Sequence, residues 1–302
     1  MRHYTHAARA AAFIVLCALL SAQNAAAHGV VGKRFFPATM AFDDPLPADE
    51  FGITYSNLSP APDADGEDVD FEYSKRLTDK LSVSIGKGWA REREGGVTAK
   101  GFGNLETGLK YRLLADPEHE TALSAGVDVE WGGTGDDEIG AEHVTHVTPA
   151  LFFGKGFGDA SADWLKPFAV TGNLGYDLPT KKSEDGVDIP EALTYGVSLQ
   201  YSLPYLRQNV HDYGWGDFLG RLTPIVEAQF ETPVARRGDE RTTGTIRPGV
   251  LWTGRRVQVG AEAIVPINNE SGDGLGFALQ LHLFLDDMFP HSIGRPLFAG
   301  AR

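Results

Sequence analysis

The sequence predicts an all-β fold, a single antiparallel, up-and-down transmembrane β-barrel of about twelve strands. Three observations predict it. Long runs alternate between apolar and polar side chains, the period of a strand with two unlike faces. Many of these runs exceed the roughly five or six residues usual in soluble sheets and suit the roughly 9–11 that cross a bilayer at a tilt. The last run, GFALQLHLFLDDMF, aligns Phe277, Leu279, Leu281, Leu283 and Leu285 on one apolar face. At a sheet edge in water such a strand invites aggregation. Paired with the first strand it closes the sheet, as lipid requires. The rival is a soluble exported sandwich, with a core on one face and water on the other.

Residues 1–27 read as a secretory signal peptide. Arg2 and Arg9 precede the apolar run Ala10 to Leu20, and Ala25-Ala26-Ala27 offers a small-residue cleavage site. His28 would then be the new N-terminus. The single cysteine, Cys17, lies within the run behind bulky Leu16, so it reads as leader and not as a lipid attachment site. A mature chain without cysteine has no disulfide or thiol chemistry. Losing two arginines takes the formal charge from −14 to −16, which argues against nucleic acid and against an anionic lipid surface as partners. No later apolar run approaches the roughly 20 residues of a spanning helix, so strands must carry any membrane passage.

Residues 28–49, HGVVGKRFFPATMAFDDPLPAD, predict a periplasmic arm or a short plug folded inward. The barrel is predicted over residues 50–289. Its runs centre on Phe51–Asn57, Val69–Arg76, Leu81–Trp89, Leu105–Leu113, Leu123–Trp131, Val144–Phe153, Phe168–Tyr176, Leu193–Tyr201, Leu222–Glu231, Thr243–Trp252, Val257–Val265 and Gly276–Leu285. Residues 290–302 form a C-terminal periplasmic tail, and Phe289 or Phe298 would supply the terminal aromatic for assembly. The predicted outward connections are Ser59–Asp68, Ala90–Phe102, Gly132–His143, Asp177–Ala192, Thr232–Thr242 and Ile267–Leu275, all long and polar. Inward ones include the short Leu77–Lys80 and Thr253–Arg256; Ser202–Gly220 is the exception, long enough for a short helix. Short periplasmic turns and longer external loops mark bacterial outer-membrane barrels. Aromatics near run ends, such as Tyr55, Trp89, Trp131 and Trp252, suit interfacial girdles.

GFGNLETGLKYRLL, ALSAGVDVEWGGTG, PALFFGKGFG and VTGNLGYDLPT together resemble the Gram-negative outer-membrane family named for the MetA pathway of phenol degradation. The likeness covers roughly residues 101–180, and the later strands only by general pattern. It implies a transport barrel in the outer membrane and, among solutes, a hydrophobic or aromatic class. Two departures stand out. The family's G-x-G-D-L is Gly103-Asn104-Leu105 here, and its P-T-G is Gly133-Thr134-Gly135.

Alternation assigns the lumen candidates: Glu106, Lys110 and Arg112; Asp128 and Glu130; Glu227; Arg247; Glu262; and His282, with Glu72 and Arg76 beside them. Charges on an inner face either line a solute path or pair with one another and fill it. A one-residue slip would turn any strand's set outward. No G-x-S-x-G, H-E-x-x-H or G-x-x-x-x-G-K motif occurs, so the reading is not enzymatic and needs no cofactor or metal. Copper on His28 would need a second placed histidine, and His143, His146 and His211 show no diagnostic spacing. Asp136-Asp137-Glu138 reads as a solvated loop tip in preference to a calcium site. The expected function is an outer-membrane transporter or porin-like channel for small solutes. The alternative is a non-transporting structural or surface-binding barrel.

Overall fold

The computed structural model describes residues 29–59, 64–184, 186–235 and 241–298. The predicted signal peptide, Cys17 and His28 lie outside the described residues.

Among the described residues, twelve antiparallel strands close into a transmembrane barrel. They are β1 (Glu50–Ser59), β2 (Ala64–Thr78), β3 (Leu81–Glu94), β4 (Val97–Asp116), β5 (Thr121–Trp131) and β6 (His146–Gly156), then β7 (Phe168–Pro179), β8 (Glu191–Tyr201), β9 (Leu222–Ala235), β10 (Thr243–Thr253), β11 (Val257–Pro266) and β12 (Asp273–Phe284). Each strand pairs with its sequence neighbours, and β12 closes on β1 with Leu279 opposite Tyr55 and Leu283 opposite Phe51. Closure gives every strand a partner on both sides, which removes the edges that neither lipid nor water tolerates well.

The outer face is apolar around the whole circumference. Phe71, Ile85, Leu109, Val127, Leu151, Leu174, Val197, Val226, Val259 and Leu279 are large apolar side chains with much of their surface exposed. Most of their sequence neighbours are polar or small and point into the lumen, with Phe152 and Ile225 as buried apolar exceptions, the inversion of a soluble core that a bilayer imposes. Prolines mark two irregularities. Pairing between β6 and β7 skips Thr148 and Pro149, and pairing between β10 and β11 skips Arg247 and Pro248. Proline brings no N–H to a ladder.

Several boundaries differ from the sequence reading. Ala90–Phe102 is not a loop: the β3–β4 ladder continues through Ala90↔Gly101 to Glu94↔Val97 and turns on Gly95-Gly96, both at positive φ. Two residues at positive φ are what a tight hairpin needs. Likewise β2 begins at Ala64 and β7 runs to Pro179. The long connections are therefore not confined to one end, since residues 157–167 and 202–221 lie at the end that holds both described termini. The second contains the predicted helix, α1 (Leu203–Asn209), where the Ser202 side chain accepts from the Tyr205 N–H and Pro204 occupies the first turn. A further turn, α2 (Gly216–Leu219), follows it. Leu285 does not extend the apolar face of β12. The strand stops at Phe284, and Leu285 is buried at the start of α3 (Leu285–Met288). Beyond it the chain folds back on β2, where the Leu297 and Phe298 N–H groups bond the Arg76 and Leu77 carbonyls.

Residues 29–49 run inside the barrel. They enter at the end holding the termini, reach mid-lumen around Thr39–Asp43, and return to start β1. Val31, Phe36 and Leu46 form a small apolar cluster with Ala122 and Ala169 of the wall.

Candidate functional site: an acidic lumen

The inner wall both grips residues 29–49 and faces open space. Where it grips, the contacts are specific. Gln258 donates to the Ala38 carbonyl at 2.7 Å and Gln280 to the Thr39 carbonyl at 2.9 Å. Glu227, fully buried, accepts from the Thr39 hydroxyl at 2.5 Å and the Ala41 N–H at 3.3 Å. Ser124 donates to the Pro45 carbonyl at 2.5 Å. Lys110 donates to the Asp44 carbonyl at 2.9 Å and ion-pairs with Asp43. Glycines admit the bulky side chains: a Cβ at Gly154 would lie 2.9 Å from Pro45 and 3.1 Å from Phe36, and one at Gly260 2.8 Å from Met40.

Two buried anchors hold the ends of the segment. Arg34 donates to Glu120 at 3.1 Å and to the Pro167 and Lys166 carbonyls, and lies 3.7 Å over the Tyr205 ring. Tyr205 donates to the other Glu120 oxygen at 2.8 Å. Burial, together with that carboxylate, pushes the Tyr205 hydroxyl up to about 12, so it remains a donor at neutral pH. Asp49 accepts from the Arg76 N–H at 2.9 Å and its Nε at 2.7 Å, and pairs with Lys75. A buried charge left without its partner is costly, so these anchors resist release.

The β2 to β5 wall, which grips the segment through Lys110 and Ser124, also carries carboxylates into open lumen. Asp70, Glu72, Glu106 and Asp128 are all exposed residues on inward positions. Each faces a glycine in register: Asp70 opposite Gly88, Glu72 opposite Gly52 and Gly86, Glu106 opposite Gly86, Asp128 opposite Gly108. A Cβ at Gly88 would lie 2.6 Å from Asp70 Oδ1, and one at Gly108 2.7 Å from Asp128 Oδ1. The glycines thus make the room that these carboxylates occupy. Between this wall and the tip of the inner segment lies a cavity of about 230 Å³, lined among others by Phe42, Asp43, Glu50, Asp70, Glu72 and His282.

The predicted lumen residues fall into different settings. Glu106 and Asp128 line the open side. Lys110 is bound to the inner segment and offers no free charge to the lumen. Glu130 accepts from Asn104 at 2.9 Å near the far end, away from the tip. Glu227 is an anchor; Arg247 lies directly across from it and donates to Thr245, while Glu262 is buried beside Glu227. His282 pairs with Glu50 at 2.7 Å. Arg112 shares the Lys110 face near the terminal end and joins neither group. Asp43, Asp44 and Glu50 bring carboxylate oxygens within 4.8 Å of one another, and Lys110 supplies countercharge from the chain itself. Asp70 is absent from the predicted set although alternation puts it on the face of Glu72. The three histidines weighed as copper ligands separate: His143 reaches Asp137, His146 pairs with Asp177, and His211 meets Tyr213.

No family model matches the chain, and no curated protein matches it. Solved structures do. An outer membrane channel from Pseudomonas putida F1 is 16% identical, with a TM-score of 0.51 over 82% of this chain and 98% of that one. The NanC porin is 8% identical, with a TM-score of 0.48 over 78% and 98%. The KdgM porin is 12% identical, with a TM-score of 0.47 over 77% and 98%. The likeness to the Pseudomonas channel is one of fold.

Proposed function

We propose that this protein is an outer-membrane channel, with the end holding both termini in the periplasm. Small solutes diffuse through it between residues 29–49 and the β2–β5 wall. The observation that carries this reading is the asymmetry of the lumen. Four carboxylates, Asp70, Glu72, Glu106 and Asp128, face open space, while Lys75, Arg76 and Lys110 are engaged by Asp43 and Asp49. Like charge along one side of a narrow low-dielectric passage selects the opposite sign, so cations pass in preference to anions. The route needs neither a nucleotide nor a cofactor, and no step of catalysis.

The outer-membrane setting fits the apolar belt, the paired closure and the fold likeness to a bacterial outer membrane channel. The resemblance to the phenol-degradation family rests on the motifs of residues 101–180, which depart from its pattern at Asn104 and Gly133. Within the hydrophobic or aromatic class that this resemblance implies, the lumen favours compounds that carry a positive charge. The tight seating of residues 29–49 favours a second reading, a barrel closed at rest that serves as a structural or surface protein. Reconstitution in planar bilayers separates the two. Discrete current steps, with swelling of liposomes in small solutes, are expected for the channel. A folded, inserted protein that stays electrically silent would leave the structural reading.

A further inference from the structure

The connection from β8 to β9 has two halves that face different media. Its first half, α1, turns inward, with Tyr205 and Leu206 buried and Tyr205 under Arg34. Its second half, residues 210–221, turns outward. Phe218 stacks on Trp252, ring centroids 6.3 Å apart. Leu251, next to Trp252, is fully buried and inward, so the Trp252 ring stands on the outer face of β10 with the exposed Val250. Phe218 therefore lies outside the barrel wall.

The neighbouring rings extend that contact around the rim. Tyr213 and Trp215 stack at 5.1 Å with planes 14° apart, and Tyr213 neighbours Tyr201. Tyr201 meets Phe168 edge-on at 4.7 Å, and Phe168 meets Trp164 at 6.3 Å. Gln200 and Ala169 are buried inward beside them, which places Tyr201 and Phe168 outward too. Trp164, Tyr213 and Phe218 are each more than half exposed. Charges in the segment are satisfied locally: Arg207 pairs with Asp217 at 2.9 Å and with Asp212 at 3.5 Å.

We infer that residues 210–221 are a foot seated in the headgroup–acyl boundary of the leaflet at the terminal end, with phospholipid as the partner. Continuity with the membrane belt decides the occupant, because Phe218 rests on a residue of the belt itself. Aromatic rings with a polar edge concentrate at this depth. The same rings facing water would make an adhesive patch. The foot holds the second half of a connection whose first half touches Arg34, so membrane seating and the anchor of the inner segment share one piece of chain.

The test uses the full chain in phosphatidylcholine vesicles with Trp215 as the sole tryptophan, made by W89F, W131F, W164F and W252F. Heat-modifiable migration verifies folding. Trp215 emission should be blue-shifted, lose most of its intensity to lipid brominated at shallow acyl carbons, and lose little to aqueous iodide. Quenching by iodide but not by brominated lipid would overturn the proposal. So would emission indifferent to both, which would signal a protein partner or self-association. If the fourfold replacement does not fold, the difference in lipid-quenchable emission between wild type and Trp215→Phe reads the same quantity. None of these readouts depends on conductance, so failure here and failure of the channel reading are separable.

Discussion

Asn104 shows how a single side chain fixes the far end of the barrel. It is buried, and it uses both ends of its amide. Its oxygen accepts from the Thr134 and Gly135 N–H groups at 3.1 and 2.9 Å, and its nitrogen donates to Glu130 and to the Glu142 carbonyl. Thr134 returns the contact, accepting from the Leu105 N–H at 2.7 Å. The two stretches where the sequence departs from the resembled family are thus bonded to each other. An aspartate at position 104 keeps the acceptor and loses the donor, which leaves a carboxylate against Glu130 and the Glu142 carbonyl. Asn104→Asp should therefore cost about 1–3 kcal/mol, the range for a buried polar group left unsatisfied. The urea midpoint of the detergent-solubilised barrel reads this directly. A variant with unchanged midpoint would mean that the 132–145 connection does not lean on Asn104.

At the scale of elements, the strands were legible and their ends were not. Period-two alternation located all twelve because lipid and lumen demand opposite side chains. Beyond the bilayer that contrast fades. Arg91 to Glu94 are polar on both faces, and Val97 to Lys100 alternate too briefly to signal a strand, so the sequence does not distinguish a projecting ladder from a loop there. The path of residues 29–49 was undetermined for another reason. Phe36, Thr39 and Asp43 owe their places to Gly154, Glu227 and Lys110, partners far away in sequence. Lys110 carried the right face but not its partner, so alternation alone assigned it to an open lumen. Seating of this element can be disturbed at its partner. Gly154→Val adds a side chain where Pro45 and Phe36 already stand, an overpacking cost of about 1–3 kcal/mol. Faster cleavage of the N-terminal segment by protease, in a barrel that keeps its heat-modifiable migration, is the expected result. Equal cleavage rates would show that the segment does not depend on Gly154.

The whole molecule reads as a wall with two functions. Outward, an apolar circumference closed on itself makes a transmembrane barrel. Inward, an asymmetric lumen holds residues 29–49 and leaves its open side lined with Asp70, Glu72, Glu106 and Asp128 opposite glycines. The sign of that open side is the central claim of the proposed channel. The most direct test is the reversal potential of the reconstituted protein across a planar bilayer in a KCl gradient, for wild type and for the double variant Glu106→Gln, Asp128→Asn. The wild type should reverse toward the potassium equilibrium potential, and the variant should move toward zero. A wild type that reverses at zero or toward chloride, or a variant identical to wild type, would contradict an acidic solute path along β2 to β5.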